Sequence, residues 1–268
     1  MRNQGDRLQR IEPTLEFIIN LAKGAGCILR SGYGKEHHID FKGPVDLVTE
    51  IDRQSEDFII HKIREAFPAH SIVAEESGKL DGEKENRWFI DPVDGTSNYA
   101  RGLPMFAVSI AYAEKGKIRL ACVYDPLRDE CFYAEKGGGA WLNGKSIHVS
   151  TTEILINAML VTGFPYDIHK KNNNLDNFTN IIREVHTVRR LGSAALDLVY
   201  VAAGRLDGYW EIDICPWDIA AGTLVIEEAG GVVTTIHGDP IYMRPPYDII
   251  ASNGILHNKL LPFFEHAP

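Results

Sequence analysis

Trp88-Phe89-Ile90-Asp91-Pro92-Val93-Asp94-Gly95-Thr96-Ser97-Asn98 is an apolar run that ends in two carboxylates, a glycine and two hydroxyls. The apolar residues predict a buried strand, Pro92 a stiff turn at its end, and Gly95 with Thr96 and Ser97 a helix start. This order suits a hard cation held beside an anion. Carboxylates and a main-chain carbonyl supply oxygen ligands, and the N–H groups of a glycine-led helix start point at an anion. The same letters also make an ordinary turn, because Asp, Pro and Gly each favour one.

Helical spacing precedes this run. Ile11, Leu15, Ile18, Ala22 and Leu29 predict a helix over 11–31 with Gly32 as its stop. Thr49 followed three residues later by Asp52 reads as a capping box, opening a helix that runs to Phe67 before Pro68. Ser71–Glu75 predicts a second short strand ending in an acid, and the polar stretch 78–86 a surface loop. Beyond the run, 107–113, 117–124 and 130–135 alternate with turn clusters, which predicts an antiparallel meander. Gly137-Gly138-Gly139 has no following Lys-Ser/Thr and reads as a turn rather than a phosphate loop. Strands are then expected at 158–162, 207–211, 232–235 and 249–252. Helices are expected at 174–185, up to 203 after Arg189–Gly192, at 217–229 and at 255–264. Sheets covered by helices, in an N-terminal lobe 1–150 and a C-terminal lobe 151–268 forming one unit, fit this order.

The 268 residues carry a net charge of −9, which argues against a nucleic-acid surface. That field also repels an anionic substrate unless a bound cation reverses its sign locally. The four cysteines (Cys27, Cys122, Cys131, Cys215) form no C-x-x-C, so neither a disulfide framework nor a zinc site is expected. No secretory leader is legible, and Glu16, Asn20 and Lys23 interrupt the apolar stretch 15–29. A cytoplasmic protein that does not span a membrane is the expectation.

Acids stand at element ends in four segments: Asp46 to Asp52, Glu75-Glu76, Asp91 with Asp94, and Trp217-Asp218 with Glu211 seven residues earlier. Each alone has a structural explanation. Asp52 serves as a first-turn acid, Glu75-Glu76 as a solvated strand end, and Asp218 as an N-cap. Strand ends, however, meet at a common edge where open sheets hold their ligands. Two unit charges 4 Å apart repel by about 4 kcal/mol at an effective dielectric near 20. A converging cluster therefore needs cations or raised pKa values, and all-oxygen ligation favours magnesium, with manganese as a substitute.

On these motifs the chain resembles the inositol monophosphatase family of lithium-sensitive, magnesium-dependent phosphatases. Asp91-Pro92-Val93-Asp94-Gly95-Thr96-Ser97-Asn98 and Trp217-Asp218-Ile219-Ala220-Ala221-Gly222, with Glu227-Glu228-Ala229-Gly230-Gly231 behind, carry the resemblance, which is collinear from the first helix to the last. It implies an α+β fold, a layered α-β-α-β-α sandwich, assembled as a homodimer. It also implies two to three Mg2+ ions per site. Glu75, Asp91 and the Val93 carbonyl would hold the first ion, and Asp91, Asp94 and Asp218 the second. Glu75 with Glu76 would hold a third. Thr96, polarised by Asp52, would orient a metal-activated water that attacks without a phosphoenzyme; Glu75 counts with this catalytic group. Gly95 and Thr96 N–H groups would hold phosphate oxygens. Glu211, with Asp94, Asp218 and the Ser193-Ala194 turn, would face the alcohol. Lys42 is expected near the metals and Asp46 in a supporting role.

A phosphorylated polyol or sugar is the expected partner, inositol 1-phosphate foremost. Fructose 1,6-bisphosphate, a 3′-phosphonucleotide, histidinol phosphate and NADP compete for the same site. Glu211 favours hydroxyls over a second phosphate, since a carboxylate accepts hydrogen bonds. Cations in the loop 165–174 suit either a second phosphate or solvent, and His37-His38 reads as a solvated pair. A non-catalytic regulatory binding protein on the same scaffold is the alternative of another class. Arg183, Arg189 and Arg190 form too small a basic cluster for general RNA binding.

Overall fold

The apolar runs build two sheets, separated and flanked by helices. The computed structural model describes residues 12–35, 39–41, 47–165 and 174–264. In chain order these are α1 (Leu15–Gly32), β1 (Ile39–Phe41), β2 (Leu47–Thr49), α2 (Glu50–Ala66), β3 (His70–Ala74), β4 (Gly78–Leu80), β5 (Glu83–Asp94), α3 (Thr96–Ala100), β6 (Ala107–Glu114), β7 (Lys117–Asp125), β8 (Glu130–Glu135), β9 (Ala140–Leu142) and β10 (Lys145–Ser146). There follow β11 (Met159–Thr162), α4 (Leu175–Ile181), β12 (Thr187–Arg189), α5 (Ala194–Ala202), β13 (Gly208–Glu211), α6 (Pro216–Glu228), β14 (Val232–Thr235), β15 (Ile249–Ser252) and α7 (His257–Leu260).

The larger sheet has the order β10-β9-β8-β7-β6-β5-β3-β4 and is antiparallel except where β3 runs beside β5. The smaller has the order β12-β11-β13-β15-β14, with β11 parallel to both neighbours. Period-two alternation assigns the faces of β6. Val108, Ile110 and Tyr112 join the core under α1 and α2, whereas Ala107, Ala111 and Ala113 face α5 and α6. Small residues on that second face let α6 lie close to the sheet. Gly222 brings α6 equally close to α5, since a Cβ there would sit 2.5 Å from the Leu198 Cβ. The opposite face of the smaller sheet packs Leu160, Trp210 and Ile250 against Ile181, Leu256, Leu260 and Phe264. The layers therefore run α-β-α-β-α, as the resemblance implied, and the middle pair of helices touches both sheets.

Three boundaries differ from the sequence reading. The stretch 78–86 is not a loop: it contains β4 and the first residues of β5. Both lie at a sheet margin with polar residues on either face, so no hydrophobic alternation marks them. The terminal helix expected over 255–264 is four residues long, followed by a 3-10 turn over Leu261–Phe264, because Pro262 has no N–H to continue it. The helix expected to reach 185 ends at Ile181. Lys42, Asp46, His37-His38 and residues 166–173 lie outside the described residues.

Candidate active site

Side chains three apart on a regular strand point to opposite faces. Asp91 and Asp94 nevertheless act together, because the ladder between β5 and β6 slips between them. Asp91 pairs with Ser109 and Asp94 with Ala107, so β5 holds one extra residue. This β-bulge brings the two carboxylates to one edge. Pro92, which has no N–H to donate, sits at the bulge. Gly95 follows at φ 99°, and a Cβ there would lie 2.8 Å from the Met105 carbonyl oxygen. Only glycine fits this left-handed, crowded step into α3.

Three further helix starts aim at the same edge. Asp52, fully buried in the first turn of α2, uses both its oxygens. Oδ2 accepts from the Thr49 N–H at 3.0 Å and hydroxyl at 2.5 Å, completing the capping box, while Oδ1 lies 2.8 Å from Thr96 Oγ1. The capping contacts and the contact with Thr96 thus coexist in one carboxylate. Thr96 Oγ1 is also 3.0 Å from the Val93 carbonyl oxygen. The start of α5 grips Asp94: Ser193 Oγ donates to Oδ2 at 2.5 Å, as does the Ala195 N–H at 2.6 Å, and the Ala194 N–H donates to Oδ1 at 3.2 Å. At the start of α6, Pro216 occupies the first turn and Asp218 Oδ2 reaches back to the Cys215 N–H at 3.1 Å. Asp218 is therefore not the N-cap itself but the third helical residue, in capping-box geometry.

Asp91, Asp94 and Asp218 bring one carboxylate oxygen each within 4.8 Å of one another. Burial, then the charges of Glu75, Asp94 and Asp218, push the Asp91 carboxyl well above the usual carboxylate range. Burial, then the charges of Asp94 and Glu75, do the same to Asp218. Asp94 is pushed up to about 6, chiefly by burial, against the hydrogen bonds from α5. Burial also raises Asp52, opposed by its Thr49 and Thr96 hydrogen bonds. Buried like charges at this spacing persist only with protons or a cation between them. The donor set is hard oxygen throughout, and the residues present fit a divalent hard cation.

The cleft has a volume of about 780 Å³, and Glu75, Asp91, Asp94, Asp197, Glu211 and Asp218 all line it. Arg190 is the one arginine or lysine among its described lining residues. Glu75 follows β3, its N–H bonded to the Ile90 carbonyl at 3.1 Å. Glu76 turns away into a neighbouring hollow that also touches Glu75. Glu211, at the end of β13, accepts from the Tyr209 hydroxyl at 2.7 Å and is pushed up to about 7, mainly by burial. The Ser193 hydroxyl and Ala194 N–H, expected at the alcohol side, are engaged by Asp94.

Four contributing residues were not singled out in the sequence. Glu56, buried in α2, accepts from the Glu76 and Ser77 N–H groups, both at 2.8 Å, and so braces the turn carrying Glu75. Gly163 leaves the space that the Glu211 carboxylate fills: a Cβ there would lie 2.0 Å from Oε2. Fully buried Asn174 fixes that turn, donating to the Gly163 carbonyl at 2.8 Å and accepting from Trp210 Nε1 at 2.7 Å. Asp197 is the fourth. A lone acid inside the apolar stretch Ala194-Ala195-Leu196-Asp197-Leu198-Val199 was its available signal.

The chain matches the inositol monophosphatase family over residues 10–267. It is 43% identical over 250 residues to the Nus factor SuhB of Escherichia coli strain K12, covering 91% of this chain and 92% of that protein. It is 40% identical over 251 residues to an inositol-1-monophosphatase of Mesorhizobium japonicum, covering 92% and 94%. The crystal structure of extragenic suppressor protein suhB from Bartonella henselae superposes with a TM-score of 0.88 at 39% identity, covering 94% of this chain and 98% of that one. The chain belongs to the inositol monophosphatase family. No helix among the described residues is long and apolar enough to cross a membrane.

Proposed function

We propose that this protein is a magnesium-dependent phosphate monoesterase whose preferred substrate is a phosphorylated polyol, inositol 1-phosphate foremost. One observation supports this most: buried Asp91 and Asp94 and half-buried Asp218, with carboxylate oxygens within 4.8 Å of one another, stand beside the buried Thr96–Asp52 pair. Glu75, Asp91 and the Val93 carbonyl would hold one ion, Asp91, Asp94 and Asp218 a second, and Glu75 with Glu76 a third. Bound Mg2+ supplies Lewis acidity that neutralises phosphoryl oxygens and the departing alcohol oxygen. Thr96 directs its single hydroxyl proton to Asp52 Oδ1, leaving its lone pairs to accept from a water in the cleft. Burial makes Asp52 a better acceptor at the end of that chain. The Gly95 and Thr96 N–H groups orient phosphate oxygens, and Glu211 accepts from alcohol hydroxyls. A homodimer is part of the same proposal.

The deciding experiment is phosphate release from inositol 1-phosphate, fructose 1,6-bisphosphate, 3′-phosphoadenosine 5′-phosphate, histidinol phosphate and NADP, in magnesium and in EDTA. The expected result is EDTA-sensitive release with kcat/KM for inositol 1-phosphate higher by at least roughly tenfold, about 1.4 kcal/mol of discrimination. Absence of EDTA-sensitive release from every substrate would overturn the proposal. Glu211→Ala is expected to raise KM for inositol 1-phosphate about tenfold, the worth of one hydrogen bond to a charged group, and KM for the nucleotide less. Equal shifts for both substrates would remove Glu211 from alcohol recognition.

The 43% identity to a protein named a Nus factor supports a second reading, a non-catalytic regulatory factor on the same scaffold. In this reading binding, rather than turnover in the acidic cleft, is the function. Asp94→Asn separates the two readings, since a factor role survives it and phosphate release does not.

A further inference from the structure

Helix α5 is buried beyond its first residue: from Ala195 to Ala202 no residue is more than 9% exposed. Asp197 is its only charged residue, 1% exposed, with Oδ1 buried and without any hydrogen-bond partner. A lone carboxyl in such a place is unfavourable, because an unsatisfied buried polar atom costs about 1–3 kcal/mol. Helix packing does not require it, since the residues on either side, Leu196 and Leu198, and the turn neighbours Ala194, Tyr200 and Val201 carry no charge. Nor does capping, because Ser193 Oγ already accepts from the Leu196 N–H. A helix start favours a negative charge, but Asp94 already occupies the N–H groups of Ala194 and Ala195.

The side chain lines the cleft together with Glu211, Asp94, Arg190 and Phe164. Glu211 and Asp94 are close enough for their charges to act on it, and Arg190, whose guanidinium carbon lies 6.0 Å from the centre of the Phe164 ring, acts in the opposite sense. Glu211 and Asp197 both line the cleft and both lie outside the triad of Asp91, Asp94 and Asp218.

We infer that Asp197 is a specificity-determining residue that works beside Glu211: the two carboxyls take neighbouring hydroxyls of the alcohol part of the substrate. The substrate class is a polyol monophosphate with adjacent free hydroxyls. A substrate hydroxyl supplies the hydrogen bond that Oδ1 lacks, which accounts for keeping an acid where an apolar residue packs better. The inference rests on the monoesterase reading above but concerns a residue outside the triad and the Thr96–Asp52 pair.

The test compares the wild type with Asp197→Leu, Asp197→Ala and Asp197→Asn in magnesium. The kinetic readout is the ratio of kcat/KM for inositol 1-phosphate to that for ethyl phosphate, whose alcohol has no further hydroxyl. The binding readout, by calorimetry, is the ratio of Kd values for inorganic phosphate and the non-hydrolysable phosphonate analogue of inositol 1-phosphate. Both ratios are expected to fall about tenfold in the Leu and Ala variants, as for one lost hydrogen bond, and to stay within about threefold of wild type in Asp197→Asn, which keeps an acceptor. The melting temperature of Asp197→Leu is expected to rise, which a purely structural role would not give.

Unchanged ratios, or parallel losses for both substrates, would overturn the inference. So would failure of both the Leu and Ala variants to fold, which makes Asp197 structural. Absence of EDTA-sensitive phosphate release in the wild type would defeat the monoesterase reading instead, and the calorimetric ratio then judges Asp197 alone.

Discussion

Asp94→Asn is expected to lower kcat at least about a thousandfold, some 4 kcal/mol of transition-state stabilisation, while the protein keeps its fold. Asp94 joins the carboxylate cluster to α5, and the substitution separates its proposed ligand role from this structural one. The carboxylate accepts three hydrogen bonds from Ser193, Ala194 and Ala195. An asparagine carbonyl placed at Oδ2 keeps the two short ones. Its amide then faces only the 3.2 Å contact with the Ala194 N–H, a loss of about 1 kcal/mol. Removing one charge from among Asp91, Asp218 and Glu211 opposes that loss. What the amide does not replace is one of the three anionic oxygens proposed to hold the second ion. Turnover of inositol 1-phosphate in magnesium, with circular dichroism and a melting curve on the same sample, checks both halves. Near-wild-type turnover would sink the assignment of Asp94 to the metal site.

The motifs made the convergence readable before any coordinates. Asp52, Glu75, Asp91, Asp94, Glu211 and Asp218 come from four separate segments, and the fold brings all four segments to the edge where β3 and β5 end. The meander of β5 to β8 was legible because its strands alternate against two different cores. The bulge was not. Pro92 marks a disturbance, but the extra residue appears only in the pairing of β5 with β6, a long-range relation that local pattern does not encode. The hinge-like grip of α5 on Asp94 is of the same kind, since Ser193 and Asp94 are 99 residues apart. Gly163 was invisible for a simpler reason. A glycine at an unremarkable φ reads as a loop residue until the carboxylate that fills its missing Cβ is located. Asp197 was legible in principle, because a single acid in a nonpolar helical run conflicts with its own periodicity. Such conflicts between local and global preference gather at functional sites.

The same crowding of carboxylates fixes how stability responds to pH. Asp94 rises from an ordinary 3.8 to about 6 in the folded protein, and Glu211 from 4.5 to about 7. Asp91 and Asp218 shift in the same direction. A raised folded-state pKa means that the folded protein binds more protons than the unfolded chain between the two values, so stability falls as pH rises through that window. The contribution is complete below about pH 4 and is lost as pH passes 6 to 7. At about 1.4 kcal/mol per unit, Asp94 and Glu211 each account for something on the order of 3 kcal/mol. Metal-free protein is therefore expected to melt roughly 5–10 °C lower at about pH 8 than at about pH 5.5. Magnesium, on the proposed function, acts in the opposite direction. An ion held by the folded state alone would stabilise it by mass action, and it would need ionised ligands. Its effect should be largest at the pH where the metal-free protein is weakest. Scanning calorimetry in EDTA and in millimolar magnesium, at both pH values, measures the four melting temperatures. A metal-free melting temperature that holds level or climbs from pH 5.5 to 8, or a magnesium shift equal at both, would show that the cluster is not a strained set of like charges awaiting a cation. Asp94→Asn, which removes one titrating member, should flatten the metal-free slope and shrink the magnesium shift together, because both arise from the same buried charge.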